Sequence, residues 1–276
     1  MTISAAPSAD TVALTGVPET MLWTLHGRAG EATRPDALLA DPECIRVYRS
    51  IDYDFVRHFG QADRGLAVRA KAFDDVVRPW LADHRGGAVV ELAAGLETGF
   101  YRCDDGGVRW VCVDMPEAVA VRERFLPSTE RHRNLACSAL DFSWFDEIDS
   151  SRGVFVSAQG LFMYFERSQV QRLCAAVIAH FPGVVLMFDT VPRWFAARTH
   201  SGMALTRHYQ TPKMPWGINT AEIAGLVGGW SDAIVDIQVA AYSPSRGIVT
   251  ADLLGSVPAL GDVMPSIVTV RTRERT

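Results

Sequence analysis

The run from Ala88 to Asp114 limits most strongly what this chain can fold into. Ala88-Val89-Val90-Glu91-Leu92-Ala93 is a short apolar strand that passes directly into a small-residue turn, Ala94-Gly95-Leu96-Glu97-Thr98-Gly99. Val108 to Val113 is a second apolar strand, ending at Asp114, and Pro116 suits the first turn of a helix from Met115 to Leu126. The rhythm continues with a weaker strand at Arg133–Cys137, a fourth at Gly153–Ser157, a helix over Ser168–His180 and a fifth strand at Val184–Phe188, ending at Asp189. Strands alternating with helices at this spacing predict a doubly wound, mostly parallel α/β sheet with helices on both faces.

Before this core, residues 1–15 read as a mobile tail. A helix is expected from Pro18, with Met21, Leu22 and Leu25 on one face, and a short one from Asp41-Pro42 through Tyr48. Residues 62–84 form a longer amphipathic helix stopped by Gly86-Gly87. After Asp189, Pro192 to His208 is aromatic and basic and is expected to be helical. Ala233–Ala240 and Ser266–Thr272 supply two more strands for an antiparallel edge, seven in all. The expected organisation is one domain: an N-terminal helical lid over 16–60, a cofactor-binding core over 61–190, a substrate-binding insertion over 191–230 and C-terminal strands over 231–276.

With 27 Lys and Arg against 32 Asp and Glu, the net charge of −5 gives no electrostatic reason to expect a nucleic-acid partner. The five cysteines are scattered without a CxxC pair, so neither a disulfide framework nor a metal site is expected, and a reducing cytoplasm fits. No basic-then-apolar leader and no membrane-length apolar run is present, so no membrane partner is expected. A homodimer is allowed for.

In open α/β sheets, ligands bind beyond the carboxyl ends of the strands. The turn after the first strand has only Gly95 and Gly99 and carries Glu91 and Glu97. Two acids beside a pyrophosphate would be electrostatically costly. This argues against a dinucleotide and for a cationic ligand without phosphates, such as S-adenosylmethionine. Gly95 permits close backbone approach. Asp114 is placed either to accept from ribose hydroxyls or to cap the helix beginning near Met115. Asp141 and Phe142, after the third strand, are candidates for the adenine, with a turn role for Asp141 as the alternative. Gln159 follows the fourth strand, and Tyr164 lies five residues on. Arg69 and Lys71 offer cations for a carboxylate, or simply a solvated helix face.

The residues Val89 to Arg102, Val113-Asp-Met-Pro-Glu117 and Arg122 together resemble the leucine carboxyl methyltransferase family, more narrowly its bacterial branch of polyketide carboxyl O-methyltransferases. Thr20, Arg28-Ala29, Arg69, Asp141, Gly160-Leu-Phe-Met-Tyr164 and Pro215-Trp216-Gly217 extend the resemblance over roughly residues 16–245. The resemblance implies a Rossmann-like class I methyltransferase fold. It implies that Arg69 binds the methionyl carboxylate, and that Glu91, Ala93 and Gly95 face the amino-acid portion. Asp114, with Met115 beside it, would hold the ribose, Asp141 and Phe142 the adenine, and Gln159 would lie near the ammonium. S-adenosylhomocysteine would be the product. Many members of the family have Gly at the position of Ala93, Arg at Gly99 and Glu at Gln159.

Methyl transfer needs alignment above all, and a carboxylate acceptor needs no base, whereas a phenol benefits from one. Tyr164, His200 and His208 are the candidates for catalytic roles. Arg193, Trp194, Arg198 and Trp216, with Tyr48 and Tyr53 in the lid, are the candidates for gripping an aromatic substrate. The leading expectation is an O-methyltransferase for a carboxyl or phenolic oxygen of a small aromatic natural product. Carbon or nitrogen methylation, cofactor-assisted cyclisation and a non-catalytic cofactor-binding regulator are the alternatives.

Overall fold

The computed structural model describes residues 10–12, 14–242 and 262–274. Seven strands form the main sheet: β1 (Ala88–Leu92), β2 (Arg109–Asp114), β3 (His132–Ala136), β4 (Val154–Ala158), β5 (Val185–Thr190), β6 (Ile234–Ala241) and β7 (Ser266–Thr272). Their order across the sheet is β6-β7-β5-β4-β1-β2-β3. The first five run parallel, and β7 pairs antiparallel with both β5 and β6. Chain order reverses between β1 and β4, so the switch point lies beside the glycine turn.

Both faces of the sheet are covered, which is why its strands read as continuous apolar runs. Val89, Trp110, Cys112, Phe155, Val185 and Met187 pack on one face against Phe73, Val77, Trp80 and Leu81 of α4 (Gly65–Asp83). Val90, Leu92, Val111, Val113, Val156, Leu186 and Phe188 fill the other. There they meet Val170, Leu173, Cys174 and Val177 of α7 (Arg167–His180), and Ile223 and Val227 of α9 (Thr220–Gly228). The alternation places each side chain by the strand's two-residue period.

A separate cluster is built by the N-terminal helices α1 (Thr20–Ala32), α2 (Pro42–Ser50) and α3 (Phe55–Phe59) with α6 (Pro116–Phe125). Asp41 caps α2 through the Cys44 N–H at 2.9 Å, and Pro42 occupies its first turn. Of the expected N-terminal tail, residues 1–9 lie outside the described residues. Asp10–Thr11, however, pairs in parallel with Ile51–Asp52, and Val12 is buried.

The aromatic-basic segment is only partly helical. Helix α8 covers Arg193–His200, Gly202 turns with φ +84°, and Ala204–Thr206 pairs with Tyr209–Gln210 as a short hairpin. The expected helix to His208 is therefore cut short by a glycine in the left-handed region. A short helix, α5 (Gly99–Cys103), follows the glycine turn.

Candidate active site

The carboxyl ends of the parallel strands open into a cavity of about 780 Å³, whose wall also includes one face of α1, the start of α4 and α8. At its floor the chain leaves β1 through two left-handed residues, Ala93 (φ +52°) and Gly95 (φ +49°). The Gly95 N–H donates to Asp114 Oδ2 at 2.7 Å, and the Met115 N–H donates to Oδ1 at 2.8 Å. A Cβ on Gly95 would lie 2.9 Å from Cβ of Met21, so α1 rests directly on the turn and only glycine fits.

Buried arginines brace this turn from behind. Arg122 donates to the carbonyls of Gly95 (2.9 Å) and Glu97 (2.8 Å), and Arg28 donates to that of Leu96 (2.7 Å). Glu97 pairs with Arg28 and Arg102, each at 2.7 Å. Arg102 also grips Asp74 through two nitrogens, at 2.7 and 3.0 Å, and reaches Asp41 at 2.6 Å. Burial pushes the Glu97 carboxyl up, but Arg28 and Arg102 outweigh it and hold the group down at about 2. Glu97 is therefore neutralised from within the protein. It lines the cavity, but its charge is already taken up by Arg28 and Arg102, so of the two acids expected beside the ligand Glu91 alone lacks an arginine partner.

Glu91 has no such partner. It accepts from the Trp110 indole N–H at 3.2 Å and lies 3.5 Å from the Gln159 amide nitrogen. Burial, reinforced by the neighbouring Glu97 charge, pushes its carboxyl up to about 7. The amide oxygen of Gln159 is buried without a partner. This corner is short of one cationic donor, which an ammonium-bearing ligand would supply. Trp110 also takes the space a side chain at residue 99 would need, since a Cβ there would lie 3.0 Å from its ring.

Arg69 is buried, and its Nη1 donates to Asp189 Oδ2 at 3.0 Å. Asp189 Oδ1 accepts from the Gly160 N–H at 2.5 Å. Arg69 Nε has no partner. The cation assigned to the cofactor carboxylate is thus already shared with an acid at the end of β5, one that sequence reasoning left without a role. Lys71 points elsewhere and pairs with Asp75 at 2.6 Å on the exposed side of α4.

Beyond the ends of β2 and β3 the cavity is lined by Met115, Ser138 and Ala139. Asp141 and Phe142 do not reach it. Asp141 caps its own 3-10 helix by accepting from the Ser143 N–H at 3.1 Å, and Phe142 stacks on Phe145 with centroids 5.2 Å apart. The turn reading of Asp141 prevails because a short Asp side chain bonds most readily to the backbone two residues on.

The remaining wall is apolar and rich in sulfur and rings: Met163, Phe165, Val191, Trp194, Phe195 and Met214, with Tyr164 among them. Burial pushes the Tyr164 hydroxyl well above its ordinary value. The two histidines are elsewhere. His200 bonds the Met214 carbonyl at 3.1 Å from the outer side of α8, and His208 lies exposed on the hairpin beside Arg207. Tyr48 and Tyr53 are likewise absent from the cavity wall. Tyr48 lies 3.2 Å from a ring nitrogen of His26, and the Tyr53 hydroxyl donates to Glu19 at 2.8 Å, so both join the N-terminal helices to one another. Arg193 pairs with Glu222 at 2.8 Å, Arg198 is exposed, and Trp216 is buried in the main core. Of the six residues expected to bind substrate, Trp194 lines the cavity. The α1 residues Thr20 and Thr24, together with Asp189, Met163 and Met214, were not expected there. Thr20 and Met163 fall in segments of the family resemblance and Asp189 ends a strand, but that they face the cavity depends on long-range packing.

A seven-stranded sheet in this order, with a reversed β7, a glycine turn after β1 and an acid ending β2, defines a class I S-adenosylmethionine-dependent methyltransferase. The leucine carboxyl methyltransferase family model matches residues 22–178, and the chain belongs to that family. The tetracenomycin polyketide synthesis O-methyltransferase TcmP of Streptomyces glaucescens is 34% identical to it over 188 residues, covering 67% of this chain and 70% of that one. The S-adenosyl-L-methionine-dependent methyltransferase dpfgK of Gibberella zeae is 28% identical over 188 residues, covering 62% and 63% of the two chains. The crystal structure of the small RNA methyltransferase HEN1 shares the fold, with a TM-score of 0.52 at 12% identity, over 76% of this chain and 25% of that chain. Among the described residues, no helix is long and apolar enough to cross a membrane, and no group of three or more His, Cys, Asp or Glu is placed to hold a metal ion.

Proposed function

We propose that this methyltransferase acts on a carboxyl or phenolic oxygen of a small aromatic, polyketide-type natural product, and that a carboxylate is the better of the two acceptors. When bound, S-adenosylmethionine supplies the methyl group on a sulfonium and is left as S-adenosylhomocysteine. Glu91 and Gln159 would take its ammonium, Arg69 its carboxylate, and Asp114 its ribose hydroxyls, while Met115, Ser138 and Ala139 flank the base. Asp114 is pre-aimed by two backbone N–H groups, so it loses little freedom on binding.

The observation that carries the choice of acceptor is the make-up of the cavity wall. Among the described residues it contains no histidine and no lysine. Of its acids, Asp189 and Glu97 are paired with arginines, Glu91 and Asp114 belong to the proposed cofactor end, Asp63 accepts from the Gly65 N–H at 2.9 Å, and Glu117 lies in the first turn of α6. No imidazole or amine is therefore at hand there to take a phenolic proton. A carboxylate arrives ionised at neutral pH and needs only alignment. The apolar lining favours a flat ring and excludes water from the acceptor. The polyketide association of the TcmP relative points the same way.

The test is incubation with methyl-labelled S-adenosylmethionine and matched panels of aromatic acids and phenols. Label should enter acids as base-labile methyl esters, with phenols at least tenfold slower. Tight cofactor binding with no label in any oxygen acceptor would overturn the reading.

A further inference from the structure

Arg69 occupies a core position without being a core residue. It shares with Phe73, Val77 and Trp80 the stripe of α4 that packs on the sheet, one turn nearer the carboxyl ends of the strands. Asp189 reaches the same level from β5. The two-residue period of the strand puts it on the face of Val185 and Met187, which is the face α4 covers. Two segments 120 positions apart thus set a cation against an acid at the cavity wall, and both are buried.

Stability alone does not call for such a pair, since well-packed apolar residues hold a helix to a sheet as well or better. Its surroundings show what else it is built to do. Asp189 gives its two oxygens to two different groups: Oδ2 accepts from Arg69 Nη1 at 3.0 Å, and Oδ1 accepts from the Gly160 N–H at 2.5 Å. The second bond fixes the peptide between Gln159 and Gly160. One carboxylate therefore locates Arg69 on α4 and the turn that carries Gln159. Gly160 completes the seat. Its φ is +66°, and a Cβ there would lie 2.8 Å from Arg69 Nη1, so the guanidinium rests against bare backbone. Arg69 Nε has no partner, so the pairing does not use up the donors of the side chain.

We propose that Asp189 is a positioning residue for the amino-acid end of the cofactor. It acts through Arg69, offsetting the buried charge and keeping the guanidinium seated on Gly160 at the cavity wall. Without that acid an unpaired guanidinium is too costly to keep from water, and the long side chain turns away from its seat. The inference rests on Arg69 as the partner of the cofactor carboxylate and adds the residue that aims it.

The experiment measures calorimetric affinity for two ligands. One is S-adenosylhomocysteine; the other is 5′-deoxy-5′-methylthioadenosine, which has the same nucleoside without the amino-acid portion. Asp189→Asn keeps an oxygen for the Gly160 N–H but turns an NH2 group toward Arg69. It should weaken S-adenosylhomocysteine at least tenfold and the truncated nucleoside less than twofold. Gly160→Ala, which crowds Nη1 from the other side, should give the same selective loss and decides the matter if Asp189→Asn fails to fold. In an Arg69→Met background, Asp189→Asn should change S-adenosylhomocysteine affinity less than threefold, because nothing remains to be aimed. Unchanged or tighter binding in Asp189→Asn, equal weakening of the two ligands, or a tenfold loss that persists beside Arg69→Met would overturn the role of Asp189. Native affinity in Arg69→Met itself would overturn the carboxylate placement on which the role rests.

Discussion

At Glu91, burial and chemistry pull in opposite directions. Removal from water favours the neutral acid and pushes its carboxyl to about 7, from an ordinary 4.5. A positively charged cofactor favours the ionised form. Below pH 7 binding must therefore displace a proton, and affinity for S-adenosylmethionine should rise from pH 6 to pH 8, by up to about tenfold per pH unit below the transition. Glu91→Gln should flatten that profile in calorimetry, and an equally steep profile in the variant would contradict the assignment. The linkage to folding has the opposite sign. The folded state holds a proton that the unfolded chain releases above about 4.5. Glu91's contribution to the stability of the cofactor-free protein is present below that pH and is lost as pH rises through 7. Ala93 is a second single-residue case. Its φ of +52° costs an L-residue roughly 1–2 kcal/mol, less the extra chain entropy glycine loses on folding. Ala93→Gly should stabilise the protein by roughly 1 kcal/mol in urea denaturation, and destabilisation would show that the methyl's contacts outweigh the strain.

Among the elements, the glycine turn is held less by its own glycines than by the helices around it. Arg102 joins Glu97 of the turn to Asp41 at the cap of α2 and Asp74 of α4, while Arg28 joins the turn to α1. Removing one partner of a buried network leaves its acids uncompensated. Arg102→Met should cost about 3–5 kcal/mol in chemical denaturation, whereas exposed Lys71→Ala, which breaks a surface pair with Asp75, should cost under about 1 kcal/mol. Similar costs for the two would contradict the network. The same contacts tie the expected N-terminal lid to the glycine turn. Met21 and Arg28 of α1 line the cavity beside that turn, so the docking of α1 completes its floor.

At the scale of the whole molecule, the sheet could be read from sequence because its strands are buried on both faces and appear as short apolar runs between helices; β6 and β7, expected at Ala233–Ala240 and Ser266–Thr272, form at Ile234–Ala241 and Ser266–Thr272. The half of the cavity on strand ends was equally legible, since Glu91 and Asp114 lie in the last two residues of β1 and β2, Gln159 follows β4 and Gly95 lies in the turn after β1, and all line the cavity. The other half depends on how distant segments meet. His200 and His208 were nominated by residue type, but a glycine-ended helix and a hairpin turn them away from the cavity. Ser138 and Ala139 line the cavity in place of Asp141 and Phe142 because a local cap holds Asp141, just beyond Ala139, to its own turn. Asp189 was visible as a strand end, but its partner Arg69 lies 120 positions earlier in the chain. The central claim is that Asp114 and Glu91 together receive a cationic nucleoside. Its most direct test is a calorimetric titration of S-adenosylmethionine into the native protein and into Asp114→Ala. Losing charge-assisted ribose hydrogen bonds should weaken binding roughly 10- to 100-fold. Equal affinity in the two proteins, or no binding to the native one, would contradict the account.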